Sequence, residues 1–170
     1  MTFDADDVDD VKFDEDITFI RTIAACAGQS SNCEFSASHG AWHMQSVNDY
    51  VAIPIEGIHH CKLHTVKFFF MNEAGNPNPT DMSLTVYKKA GLTIDAGATV
   101  IVQETAHLDA DSSLNMPAGI ELDCADENMV GELAPQMYYG MVKLTETDIL
   151  VNPMHFIGVR IEYKRSRVVV

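Results

Sequence analysis

Residues 58–70 read IHHCKLHTVKFFF, and whether they form a helix or a strand determines what the rest of the chain can be. On a helix, His60 and His64 would share one face, one turn apart, as paired ligands do in zinc-binding helices. The flanks oppose this: Pro54 and Gly57 stand just upstream, and Val66 to Phe70 is rich in residues that favour a pleated surface. On a strand, His60 and His64 again share a face but sit about 13 Å apart at ~3.3 Å per residue, too far to hold one ion. Cys61 and Leu63 alternate in one phase, whereas Val66, Phe68 and Phe70 alternate in the other. A slip of one residue marks a β-bulge near His64 and Thr65. The expectation is a bulged strand with Leu63, Val66, Phe68 and Phe70 inside, and His60, Lys62, His64, Lys67 and Phe69 outside.

Working outward, the period stays near two. MSLTVYKK places Met82, Leu84 and Val86 on one face and Ser83, Thr85 and Tyr87 on the other. FIGVRIEYKR sets Ile157, Val159, Ile161 and Tyr163 against Gly158, Arg160 and Glu162, and DYVAIPI, ATVIVQETA and QMYYGMVKLTE add three further strands. Turn-rich stretches such as NEAGNPNPTD, DAGA and NMPAG separate these runs. DITFIRTIAACAG carries a partial helical face at Ile17, Ile20, Ile23 and Ala24, but its Ile and Thr content fits an extended segment equally well. Short strands without intervening helices predict an all-β chain, an antiparallel β-sandwich or jelly roll.

Length and charge set further bounds. A chain of 170 residues, 46% hydrophobic, is the size of one domain. The predicted division is an acidic arm over residues 1–16 and a single β-sandwich domain over residues 17–170. The arm holds eight acids against Lys12 alone, a net of -7 and half of the total -14. The far end is basic, with Arg160, Lys164, Arg165 and Arg167. So acidic a chain repels nucleic acid and anionic membranes, and neither is an expected partner. No apolar run approaches ~20 residues, and MTFDADDVDDVKFDED lacks the basic and apolar regions of a signal peptide.

Candidate chemistry is sparse. Cys26 and Cys33 are spaced for a loop-closing disulfide or stand as thiols, whereas Cys61 and Cys124 read as small buried hydrophobes. HGAWH holds His39, His43 and Trp42, the only tryptophan, which is either a core or interface anchor or a platform for stacking a sugar. HLDADSSLN alternates oxygen donors at Asp109, Asp111, Ser113 and Asn115, like the first half of a calcium loop. Leu114 stands where that loop needs glycine and Ile120 where it needs glutamate, so a hydrated turn competes with calcium. No G-x-S-x-G, P-loop, GxGxxG or H-E-x-x-H motif occurs, and the expectation is a protein without enzymatic activity, cofactor or resident metal.

Taken together, YVAIPIEGIHHCKLHTVKFFFMNE, TDMSLTVYKK, MYYGMVKL and FIGVRIEYKR resemble a β-sandwich pattern of uncharacterised secreted bacterial proteins and of viral structural proteins. The resemblance covers about residues 50–165. It is carried by Pro54, Gly57, Leu63, Val66, Thr80, Asp81, Leu84, Val86, Tyr138, Tyr139, Gly158, Val159, Arg160, Ile161 and Tyr163. It implies a jelly-roll-like module for assembly or adhesion, with no catalytic residue. Without a signal peptide, the resemblance points to a virion component assembled in the host cytoplasm: a capsid, capsid-decorating or tail subunit. Such a subunit would contact further copies of itself and other particle proteins through His60, His64, Phe69, Tyr87, Tyr138, Arg165 and Arg167. The alternative is an extracellular carbohydrate-binding or adhesion module that meets glycans through Trp42, with calcium from the Asp109 loop.

Overall fold

The computed structural model describes residues 17–22, 33–38, 40–55, 61–72, 80–90, 97–108, 118–129, 136–147 and 154–165. Ten strands run through them: β1 (Ile17–Thr22), β2 (Glu34–Ser36), β3 (Ala41–Met44), β4 (Tyr50–Ile55), β5 (Cys61–Asn72), β6 (Thr80–Ala90), β7 (Ala98–Leu108), β8 (Ala118–Asn128), β9 (Gln136–Thr147) and β10 (Met154–Arg165). No helix occurs among the described residues. One sheet is ordered β2-β3-β10-β5-β8, with β1 also paired to β10, and the other is ordered β4-β9-β6-β7. All pairings are antiparallel. Strands β3 to β10 therefore distribute as β3-β10-β5-β8 against β4-β9-β6-β7, the interleaved order of a jelly roll. The β-sandwich read from the alternation is the fold.

The bulge at His64 and Thr65 is present. Leu63 faces Glu127 of β8 and Thr65 faces Asp123, so the register shifts between them, and β10 shifts opposite, between Glu162 and Tyr163. Cys61, Leu63, Val66, Phe68 and Phe70 are buried, as are Met82, Leu84 and Val86 on β6 and Val159, Ile161 and Tyr163 on β10. A second shift, between Phe156 and Gly158, alters the expected phase of β10. Ile157, expected inside, is only half-buried, and Phe156 takes the core position against Phe70 and Phe68 at centroid distances of 5.4 and 6.3 Å. Burying rings of this size supplies the largest single contributions to the core, about 3–5 kcal/mol lost for each Phe→Ala change.

Two strand regions escape the alternation reading. β8 carries acids at successive outward positions, Glu121 and Asp123, while Leu122 and Cys124 go inward. Burial, followed by the neighbouring Asp123 and Glu127, pushes the Cys124 thiol up to about 12. The hairpin β2–β3 turns at Gly40, whose φ of 62° suits glycine, and its amide donates to Ser36 O at 2.8 Å.

The turn from β3 to β4 is built on Asp49. Its fully buried carboxylate accepts from the Gln45 and Ser46 amides, both at 2.9 Å, and holds Asn48 in the left-handed region at φ 73°. The same turn exchanges backbone hydrogen bonds with Leu144 of β9 at 3.0 and 2.9 Å. It thereby fixes β4 beside β9.

Candidate functional site

The two sheets present different outer faces. On the six-stranded sheet most of the described charged side chains pair with one another. Arg160 Nη2 lies 2.5 Å from Glu162 Oε1, Thr65 Oγ1 donates to Glu162 Oε2 at 3.3 Å, and Lys67 lies 4.0 Å from Glu121. Asp126 Oδ1 meets His64 Nδ1 at 2.8 Å and Lys164 Nζ at 3.4 Å. Desolvation works to raise the Asp126 carboxyl, but the hydrogen bonds from His64 and Lys164 outweigh it and hold the group below its usual range. Ala125 and Asp126 both adopt positive φ, 52° and 54°, which loops them out of the β5–β8 ladder and aims Asp126 at that pair.

The four-stranded sheet differs in kind. Every second residue of β6 from Asp81 to Lys89 points away from the core: Asp81, Ser83, Thr85, Tyr87 and Lys89. The register places them in cross-strand rows. Pro54, Tyr139, Tyr87 and Val100 form one row; Ala52, Met141, Thr85 and Gln103 the next; Tyr50, Lys143, Ser83 and Thr105 the third. Tyr87 and Tyr139 stack, with centroids 4.9 Å apart and planes 18° from parallel. Desolvation and then the neighbouring Tyr87 raise the Tyr139 phenol, so its hydroxyl stays protonated near neutral pH and can donate as well as accept.

Beside the stack lies a floor of small polar groups. Thr85 is 1% exposed although it faces outward, because Met141, Gln103 and Tyr87 flank it. Ser83 Oγ receives Gln103 Nε2 at 3.1 Å and lies 3.4 Å from Thr85 Oγ1. At the far end Asp81 Oδ1 and His107 Nδ1 are hydrogen-bonded. The exposed apolar side chains Val100 and Met137 border the tyrosine end. No described strand crosses this face. The arrangement sets two stacked tyrosine rings, each with one face turned away from the other, beside the Gln103 amide and the Ser83 hydroxyl, which can hold a ligand that has both apolar faces and many hydroxyls.

The residues singled out from the sequence scatter. Tyr87 belongs to this face. Tyr138, expected at an outward contact, points into the core at 5% exposure; in MYYGMV the inward phase runs Tyr138, Gly140, Val142, which leaves Tyr139 outside. Trp42, a candidate sugar platform, is 8% exposed, packed edge-on against Phe35 at 5.7 Å and opposite Phe156. A stacking platform needs an open ring face, so Trp42 serves as a core anchor. Phe69 and His64 lie half-buried on the other sheet's outer face, and Arg165 ends β10 opposite Cys61.

His60, Arg167, Cys26 and the calcium candidates Asp109, Asp111, Ser113 and Asn115 lie outside the described residues. So does the acidic arm. Cys33 is buried, its thiol directed at Tyr50 O at 3.7 Å. Among the described residues, no three His, Cys, Asp or Glu groups converge as metal ligands. His43 and His155 oppose each other across β3 and β10 with ring centroids 4.4 Å apart.

The alternation of β6 by itself sets Ser83, Thr85 and Tyr87 on one face, whereas nothing in that pattern points to Tyr139, Met141, Lys143, Gln103 or the Asp81–His107 pair. The available signal was Gly140: a glycine between two outward residues marks the position where β9 closes on the core.

No protein-family model matches the sequence, and no curated protein matches it. Among solved structures, a two-domain esterase active on acetylated mannans is similar at a TM-score of 0.44 and 11% identity, over 90% of this chain and 38% of that one. The CBM32 of AlyQ, in complex with 4,5-unsaturated mannuronic acid, is similar at 0.41 and 13%, over 85% and 97%. CBM28, a carbohydrate-binding module specific for non-crystalline cellulose, is similar at 0.42 and 9%, over 84% and 80%. The chain thus spans little more than a third of the esterase. Likenesses this distant carry nothing about ligand or activity, because one architecture hosts many functions.

Proposed function

We propose that this β-sandwich is a carbohydrate-binding module that takes a glycan chain on the outer face of β4-β9-β6-β7. The observation that carries the reading is the Tyr87–Tyr139 stack standing beside the Thr85, Ser83 and Gln103 floor. A pyranose ring has an apolar C–H face that packs on an aromatic ring and an equator of hydroxyls that exchange hydrogen bonds with planar amides and hydroxyls. Tyrosines supply that contact with little rotamer entropy to lose.

The assembly reading keeps less support. Of its aromatic contacts, Tyr138 is in the core and Phe69 stands beside a face whose ions pair among themselves. The jelly-roll order does not separate the two readings, since capsid subunits and lectin modules share it.

Binding to a glycan array by the full chain, with Tyr139→Ala and Tyr87→Ala beside it, tests the proposal. The wild type binds at least one glycan, and each variant weakens binding about tenfold or more, the size of one lost aromatic contact of about 1.5 kcal/mol. Absence of any glycan binding, or binding that both variants retain, refutes it. Oligomers that disperse in Tyr87→Ala would return the face to subunit assembly.

A further inference from the structure

Seven cationic side chains are described: Lys62, Lys67, Lys88, Lys89, Lys143, Arg160 and Lys164. Four of them have acidic partners: Lys67 with Glu121, Lys88 with Glu127, Arg160 with Glu162 and Lys164 with Asp126. In a chain with 25 acids and only 11 lysines and arginines, that is the expected condition. Lys89 and Lys143 depart from it. Among the described residues neither makes an ion pair, and both are half-buried on the outer face of β4-β9-β6-β7. Lys62, the third without a partner, lies on the opposite sheet.

The two lysines bracket the tyrosines. Lys89 stands one row beyond the Tyr139–Tyr87 row, opposite Met137, and Lys143 two rows to the other side, opposite Ser83. Three two-residue steps separate them, about 20 Å at ~3.3 Å per residue, so they address well-separated points of an extended ligand. The carboxylate of this face nearest to Lys143 along β6, Asp81, is engaged by His107. A half-buried lysine left without an ion pair in so acidic a protein favours an anion brought by the ligand.

We infer that the glycan taken by this face is anionic, a uronate-containing or sulfated chain, with Lys89 and Lys143 holding its acid groups on either side of the Tyr87–Tyr139 stack. The inference rests on the glycan reading above. The net charge of -14 does not forbid it, because repulsion from acids elsewhere is screened beyond about 8–10 Å at physiological salt, whereas the lysines act at contact.

The test is isothermal titration of the full chain with two hexasaccharides matched in length, oligogalacturonate and the neutral cellohexaose, with sulfated hexasaccharide as a third arm to separate carboxylate from sulfate. An acidic chain is expected to bind more tightly than the neutral one, and that ratio to fall about tenfold in Lys89→Gln/Lys143→Gln, about 1.4 kcal/mol for the two ion pairs together. Lys89→Arg/Lys143→Arg should keep the ratio, as should Lys62→Gln on the opposite sheet, and raised salt should shrink it. Equal affinity for acidic and neutral chains, with Tyr139→Ala still weakening both, overturns the anionic ligand and leaves the glycan site standing. An acidic preference that survives in Lys89→Gln/Lys143→Gln also overturns it. If no hexasaccharide binds, and the array shows none, the glycan reading itself falls and the inference with it.

Discussion

Gly140→Ala, made in the wild type and again beside Phe68→Leu, probes how the core positions the tyrosine face. Gly140 lies between Tyr139 and Met141 on β9 and points inward. A Cβ there would meet Phe68 Cζ at 3.2 Å and Cε1 at 3.4 Å, and Ile53 Cδ1 at 3.8 Å. The first two distances are inside the ~3.5–4.0 Å optimum for carbon pairs. Phe68 is fully buried and held by Phe156, so it yields only by disturbing its neighbours. Overpacking of this kind costs about 1–3 kcal/mol. Loss of glycine's freedom in the unfolded chain returns about 0.4–1 kcal/mol. The net is a destabilisation of about 1 kcal/mol, or ~2–4 °C in Tm for a chain of this size.

Phe68→Leu removes the ring carbons that crowd the new methyl group. Beside it, Gly140→Ala fills space and is neutral or stabilising by up to about 1 kcal/mol. The double-mutant cycle should therefore give a coupling of about 1–2 kcal/mol, beyond the ~0.5 kcal/mol scatter of additivity. Urea denaturation of the four proteins, with unchanged m-values, measures it. Equal cost for Gly140→Ala in both backgrounds would refute the idea that Phe68 sets how closely β9 approaches.

Ala125→Gly relieves a left-handed backbone at φ 52° and should raise stability by about 0.5–1 kcal/mol, seen as a higher urea midpoint; a lower midpoint contradicts the strain. Asp49→Ala strips the acceptor from the Gln45 and Ser46 amides beneath a buried turn and should cost about 2–3 kcal/mol, whereas an exposed turn acid would cost a few tenths. The Asp126 carboxyl, held below its ordinary 3.8 in the folded chain, contributes stability above that pH and loses it as pH falls through the lower folded value. Asp126→Asn should therefore be less stable than wild type at pH 6 and lose less stability on acidification to pH 2, and parallel pH profiles would remove His64 and Lys164 as its anchors.

Much of the sandwich was readable because inward residues are large and apolar at strict alternation. Met82, Leu84 and Val86 left their strand no other face, and the break between Leu63 and Val66 located the bulge without reference to any partner. Where alternation is ambiguous, the reading fails for a local reason. Two adjacent tyrosines give Tyr138 and Tyr139 equal claim to the core, and only the placement of Gly140 against Phe68 decides between them. Phe156 and Ile157 present the same problem, settled by a register shift that depends on β5. β8 alternates Leu122 and Cys124 with acids, a pattern that suits a solvated turn as readily as an outer strand.

The candidate site was half legible for the same reason. Its β6 line follows from one strand's own alternation. Rows that bring Tyr139, Lys143 and Gln103 beside that line depend on pairings between strands far apart in sequence, which no local pattern encodes. Trp42 is the only tryptophan, yet rarity carries no information about exposure; Phe35 packs edge-on against it, and it stands opposite Phe156 in the register of β3 and β10.

The pairing of β1 with β10 sets the order in which the molecule is completed. Ile17 lies opposite Tyr163 and Thr22 opposite Gly158, so the first described strand finds its partner only after the eight strands β2 to β9 have been synthesised. β3 takes the adjoining stretch of the same edge, from Met154 to Phe156, and β5 the whole of the other side. β10 is thus the strand on which one sheet closes, and a nascent chain must carry Ile17, Phe19 and Ile20 unpaired until it arrives. Contacts of such long sequence separation place this fold among the slow folders, milliseconds to seconds, and make the interval before β10 emerges the period of greatest exposure to mispairing.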